Sequence, residues 1–243
     1  MREKDNFILD IKRLGINGEG IGFYNRMAVF VDGAIPGEGH NVEVIKQDSK
    51  YLLAKTIEIK RPSKDRVNPS CPYYTDCGGC NVSHISYDKM LEFKKEIVVE
   101  TISRYTSLNP RSFEIKNTIP SEDKFHYRNR SQLAVKSVDG RLTVTMLKPN
   151  SNSIVPIDSC LVQKKRINTL NREILHIAEN LGISAYMAKF GRGILRYIIL
   201  RVNEKDEALV CFVIGEKSNK LKELAKRTIE LPGVIGVYES FND

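Results

Sequence analysis

Four of the five cysteines in this 243-residue chain stand in a pattern suited to metal chemistry. Cys71, Cys77 and Cys80 form a C-x5-C-x2-C run with Gly78-Gly79 between the last two, and Cys160 lies far downstream in Ile157-Asp158-Ser159-Cys160-Leu161. Thiolates are soft ligands that select zinc or iron–sulfur clusters among the common metals. The two glycines permit a tight turn that brings backbone N–H groups toward a thiolate-bound centre. The first gap is one residue longer than in the plant-type ferredoxin pattern. Structural zinc usually takes two close cysteine pairs, whereas Cys160 has no cysteine near it in sequence. Spacing therefore leaves open an iron–sulfur cluster, a zinc site, and unligated thiols or a redox disulfide. His84 is either a substitute ligand or a residue that caps or packs near the helix after it. Cys211 sits in the continuous apolar run Ala208–Ile214. Nothing near it in sequence lowers a thiol pKa, so it is expected in the core.

A second group of residues suits a polyanion. Tyr127-Arg128-Asn129-Arg130 directly precedes a predicted strand, and if the segment is extended Arg128 and Arg130 share one face. Guanidinium groups suit phosphate contact and base stacking, which makes Tyr127, Arg128 and Arg130 candidate RNA contacts; the alternative is a solvated charged edge. The net charge of +8 agrees with such a partner. Residues 1–60 hold nine basic and nine acidic side chains, so the excess lies beyond them.

These residues need elements to position them. Phe7–Leu14, Phe23-Tyr24, Met27–Val31, Asn41–Lys46 and Tyr51–Ile59 read as five short strands punctuated by glycine, a small OB-like β-barrel over residues 1–60. The glycine-rich stretch Gly15–Gly22 leads into strand, so it is a barrel corner and not a dinucleotide fingerprint, which needs a helix there. Residues 61–85 read as linker and cysteine segment. In residues 86–243 a helix is expected over Ser86–Tyr105, its apolar stripe running through Tyr87, Met90, Leu91, Val98, Thr101, Ile102 and Tyr105. A hairpin follows at Asp139-Gly140 between Ser131–Val138 and Arg141–Leu147. Then come a helix over Gln163–Leu181 ended by Gly182, a hairpin of Ile194–Val202 with Ala208–Ile214, a helix over Ser218–Leu231, and a strand at Val234–Glu239. The fold class is thus a β-barrel followed by an antiparallel α+β domain. No run of about 18 apolar residues is present, and the N-terminus carries no signal-peptide pattern. A cytoplasmic protein with no membrane partner and reduced thiols is expected.

Together these segments resemble the bacterial 23S rRNA (uracil-5-)-methyltransferase family. The resemblance rests on Gly18-Glu19-Gly20-Ile21-Gly22 and Val31–Glu38, which look like that family's TRAM domain. It rests also on Cys71-Pro72-Tyr73-Tyr74-Thr75-Asp76-Cys77-Gly78-Gly79-Cys80 with His84, Tyr87 and Lys94, and on Tyr127–Arg130 and Cys160. It implies a [4Fe-4S] cluster on Cys71, Cys77, Cys80 and Cys160, RNA (23S rRNA) as partner, and a central RNA-binding domain over residues 86–243; a monomer is expected. It also implies S-adenosylmethionine as cofactor of a full-length protein whose Rossmann-like domain carries the nucleophilic cysteine and the base. No segment matching that domain is recognised here, so no catalytic or S-adenosylmethionine-binding residue is assigned and this chain alone is expected to be inactive. Two other readings are a stand-alone, non-catalytic RNA-binding module and an iron–sulfur electron carrier.

Overall fold

A computed structural model describes residues 5–242, which divide into two compact units. The first combines residues up to 70 with residues 80–121, and the second combines residues 71–79 with those from 122 onward. The helix expected with the later residues therefore groups with the barrel, and the cysteine run straddles the division.

The first unit is built on a closed five-stranded barrel of β1 (Asn6–Leu14), β2 (Gly20–Tyr24), β3 (Met27–Val31), β4 (Gly39–Gln47) and β5 (Tyr51–Arg61). Its order is β1-β2-β3-β5-β4, with β4 pairing back to β1, so no sheet edge stays open. Alternation turns Leu9, Ile11, Val29, Val31, Val42 and Val44 inward. Gly22 packs so closely against β1 that a Cβ there would fall 2.6 Å from the Asp10 carbonyl oxygen. The glycine-rich stretch thus serves strand contact.

Helix α1 (Tyr87–Tyr105) seats Phe93, Met90 and Ile97 on Leu14, Ile35 and Ile85. This is not the expected stripe, for Val98 and Tyr105 are exposed. The helix carries apolar residues on two adjacent stripes, and periodicity alone does not choose between them.

Beside this small core lies a buried polar anchor. Glu38 is fully buried and accepts hydrogen bonds from the Ile35 N–H at 2.9 Å, the Ser63 N–H at 3.0 Å, and Arg66 at 2.6 and 2.7 Å; His40 Nε2 lies 2.8 Å from Oε2. Burial pushes the Glu38 carboxyl up, but Arg66, the Ser63 N–H, His40 and the Ile35 N–H outweigh it and hold the group down at about 2. Burial likewise pushes the His84 imidazole down to about 4, with Arg66 acting in the same direction and Glu38 opposing.

The second unit is a six-stranded sheet backed by two helices. It comprises β6 (Arg130–Val138), β7 (Arg141–Leu147), β8 (Ile154–Pro156), α2 (Lys165–Asn180), β9 (Leu195–Val202), β10 (Ala208–Ile214), α3 (Lys220–Ile229) and β11 (Val234–Phe241), with strand order β11-β10-β9-β6-β7-β8. Asp139 and Gly140 both take positive φ, 49° and 81°, the left-handed pair that a two-residue hairpin demands. Ile167, Leu170 and Ile174 of α2 and Leu221 and Leu224 of α3 join Leu133, Ile198 and Phe212 in one core. The sheet departs from the fully antiparallel expectation in one place: β11 lies parallel to β10. A helix between two adjacent strands returns the chain to the starting end, which makes the second strand parallel. Among the described residues no helix is long and apolar enough to cross a membrane.

Candidate nucleic-acid interface and thiol segment

The segment Tyr127–Arg130 is held as a rail. The His126 N–H donates to the Leu161 carbonyl at 2.8 Å, the Arg128 N–H to Val162 at 2.8 Å, and the Lys164 N–H to Arg128 at 2.9 Å. Arg128 bridges Gln163 in parallel, the Val202 N–H donates to the Asn129 carbonyl at 2.8 Å, and β6 begins at Arg130. His126, at φ 60°, makes the bend before the rail, and its Nδ1 lies 2.9 Å from the Gln163 carbonyl oxygen. With the backbone fixed on both sides, Tyr127, Arg128 and Arg130 are left exposed. None of the three enters an ion pair among the described residues, and Arg130 reaches only the Gln132 side chain at 3.5 Å.

The thiol segment folds as consecutive turns. The Tyr74 N–H donates to the Cys71 carbonyl at 3.2 Å, the Cys77 N–H to Tyr73 at 2.7 Å, and the Gly78 N–H to Leu147 of β7 at 3.0 Å. Gly78 lies so near β7 that a Cβ would fall 3.2 Å from the Leu147 oxygen, and the Gly79 N–H points at Cys77 Sγ at 3.4 Å. Of the two glycines only Gly79 turns its N–H toward a sulfur; the Gly78 N–H is spent on β7. The Tyr73 hydroxyl donates to the Asp158 carboxylate at 3.3 Å, and the Asp158 N–H donates back to it at 3.2 Å. Cys160 is fixed by Asn168, whose side chain accepts from its N–H at 2.9 Å and donates to its carbonyl at 3.1 Å.

Cys71, Cys77 and Cys160 belong to one unit and sense one another. Burial pushes the Cys77 thiol up, the Gly79 N–H pulls it down, and Cys160 and Cys71 add to the upward push. Cys80 belongs to the other unit, and none of the cysteines forms a disulfide. Among the described residues no three His, Cys, Asp or Glu side chains are gathered as a ready-made metal site. The donor chemistry therefore suits a soft metal, while the assembled geometry is not present. His84 is 3% exposed and belongs to the barrel's unit, in accord with a packing role.

Cys211 corrects the reading of its apolar run. Val210 and Phe212 point into the core and Cys211 alternates with them, so it lies half-buried on the opposite face of the sheet. Burial pushes its thiol up. The run hid the alternation because β10 carries apolar residues on both faces.

No protein-family model matches the chain. An uncharacterized RNA methyltransferase of Listeria innocua is 36% identical over 246 residues, covering 100% of this chain and 54% of the relative. One of Halalkalibacterium halodurans is 38% identical over 245 residues, covering 100% and 53%. Over its whole length the chain is similar to these two RNA methyltransferases. It spans about half the length of the curated relatives it matches. Among solved structures, tRNA (uracil-54, C5)-methyltransferase of Pyrococcus abyssi, in complex with S-adenosyl-L-homocysteine, superposes with a TM-score of 0.63 at 27% identity, covering 88% of this chain and 48% of the other.

Proposed function

We propose that this chain is the RNA-holding portion of an S-adenosylmethionine-dependent RNA uracil-5-methyltransferase. The observation that carries the reading is the rail Tyr127–Arg130, whose backbone is hydrogen-bonded on both sides while its cations stay unpaired. Such cations need break no ion pair to take phosphates. Methylation at C5 of a base needs that base out of its stack, at a cost of a few kcal/mol, and a segment gripping the flanking strand offsets part of that cost. The proposed substrate is 23S rRNA. Cys71, Cys77, Cys80 and Cys160 are the proposed ligands of a [4Fe-4S] cluster, and a centre that binds only the folded thiols would add its binding energy to folding. S-adenosylmethionine is proposed as cofactor of the longer protein only, and residues 1–243 are proposed to act on RNA as a cytoplasmic monomer without transferring a methyl group.

The experiment is a titration of labelled 23S rRNA loop fragments at several salt concentrations. Replacing Arg128 and Arg130 together by alanine should weaken binding and lower the salt slope by about 1.4, at roughly 0.7 per single-strand phosphate contact. A double variant as tight as the parent at every salt concentration would remove the rail from the interface. Tighter binding of tRNA than of the rRNA fragments would reassign the substrate.

A further inference from the structure

Helices α2 and α3 cover one face of the second unit's sheet, and the other face has its own composition. Register lines up Gln132, Ile199, Cys211 and Tyr238 as one rung across β6, β9, β10 and β11. The next rung is Arg130, Arg201, Leu209 and Gly236. Toward the opposite end this face is closed over: Thr145 and Val213 are buried, and Lys136 reaches the Tyr186 carbonyl at 3.5 Å. The open rungs therefore lie at the end where β6 emerges from the Arg128 rail.

Three features of these rungs point to one kind of occupant. Tyr238 is 59% exposed, yet its ring lies down on the sheet: a Cβ at Gly236 would fall 3.1 Å from the Tyr238 ring and 2.9 Å from Leu209. The missing side chain at Gly236 is what lets the ring lie there, its outer face turned to solvent. The surface beside it, Ile199, Leu209 and Cys211, is apolar and only partly covered. Both rungs lack a carboxylate, and Arg201, like Arg128 and Arg130, has no carboxylate partner among the described residues. An aromatic ring flat on a sheet, an apolar floor and an uncompensated row of guanidinium groups match unpaired nucleotides, whose bases stack while their phosphates take the cations.

We infer that this face is a stacking platform for unpaired RNA, with Tyr238 under a base and Arg130 and Arg201 on the flanking phosphates. It rests on the RNA-binding reading above and extends the contact from the rail onto the sheet. The test uses the whole 243-residue chain, a fluorescein-labelled uridine-rich dodecamer, and the same dodecamer annealed to its complement. Tyr238→Ala should weaken binding of the unpaired strand about tenfold, with duplex binding and the thermal melt unchanged. Tyr238→Phe should stay within about twofold of the parent, since the ring remains. If Tyr238→Ala and Arg201→Ala bind the single strand like the parent while the Arg128/Arg130 double variant fails, the platform is wrong and the rail stands. A parent that binds neither RNA overturns both. Unchanged RNA affinity in Tyr238→Ala, together with self-association of the parent that the substitution abolishes, would give the face to protein contact and refute the platform.

Discussion

Glu38 offers a perturbation whose size follows from the structure. Its carboxylate is buried and held at about 2 instead of the ordinary 4.5. At about 1.4 kcal/mol for each unit of pH, that difference is worth about 3 kcal/mol to the folded state at neutral pH. Glu38→Gln removes the charge while keeping size, and leaves Arg66 and His40 facing an amide. The expected loss is about 3 kcal/mol, at the lower end of the roughly 3–5 kcal/mol for breaking a buried ion pair. A lowered carboxyl contributes stability that is complete above its unfolded pKa and drains away as pH falls through its folded pKa. The gap between parent and variant should therefore be constant from pH 7 to about 5.5, shrink to about 2 kcal/mol at pH 3.5, and fall below about 1 kcal/mol near pH 2.5. Urea titrations followed by far-UV circular dichroism serve, because the chain has no tryptophan to report. A gap under about 1 kcal/mol at pH 7, or one that does not narrow between pH 5.5 and 3.5, would refute the reasoning.

Two further outcomes are expected. His84, held at about 4 by burial and then by Arg66, is neutral in the folded state. Its contribution, complete above about 6.5, should be lost as pH falls from there toward 4; an imidazole titration midpoint at or above 6 by NMR would refute this. Residues 1–243 should show no S-adenosylmethionine binding by calorimetry. Among the described residues the one βαβ crossover, β10–α3–β11, has in its first turn a single glycine, Gly215, packed against the Tyr186 ring, and so offers no phosphate or ribose cradle. Micromolar affinity would overturn that reading.

Much of the fold was legible because local and global signals agreed. Asp139-Gly140 demanded a left-handed pair and received it, and Gly182 takes φ 62° just past α2. The barrel strands show in alternating residues such as Leu9 and Ile11, whose period of two has one inward solution. Three features escaped because sequence does not encode partners. The parallel seat of β11 depends on which strand it joins. The buried stripe of α1 depends on which surface receives it, and Leu91, Val98 and Tyr105 compete on paper with Phe93 and Ile97. Cys211 looked buried because an apolar strand reads the same whether one face or both are covered. Of the candidate site, the thiol spacing and the rail's residue types were readable. That Arg201 and Tyr238 share a surface with Arg130 was not, since register across four strands is a tertiary fact.

The thiol segment and the rail are parts of one hydrogen-bonded structure. The Cys160 carbonyl accepts from the Gln163 N–H at 3.2 Å, and Leu161 and Val162 accept from His126 and Arg128. A constraint on Cys160 thus reaches Arg128 through a short run in which the Leu161 and Val162 carbonyls are both held. Metal loading should then act on RNA binding without any ligand having to touch RNA. Anaerobically purified chain is expected to hold about four irons, as a [4Fe-4S] centre requires, and Cys77→Ser should remove them while Cys211→Ser leaves them. The metal-free Cys77→Ser variant should bind the rRNA fragments roughly three- to tenfold more weakly, the order of about 0.5–1.5 kcal/mol expected when a loosened rail must be ordered on binding. Its salt slope should match the parent's, because every cation remains. That last readout separates the two sites: a loss of slope in Cys77→Ser would mean a displaced or unfolded rail, and stoichiometric zinc without iron would replace the cluster while leaving the mechanical link to be tested in the same way.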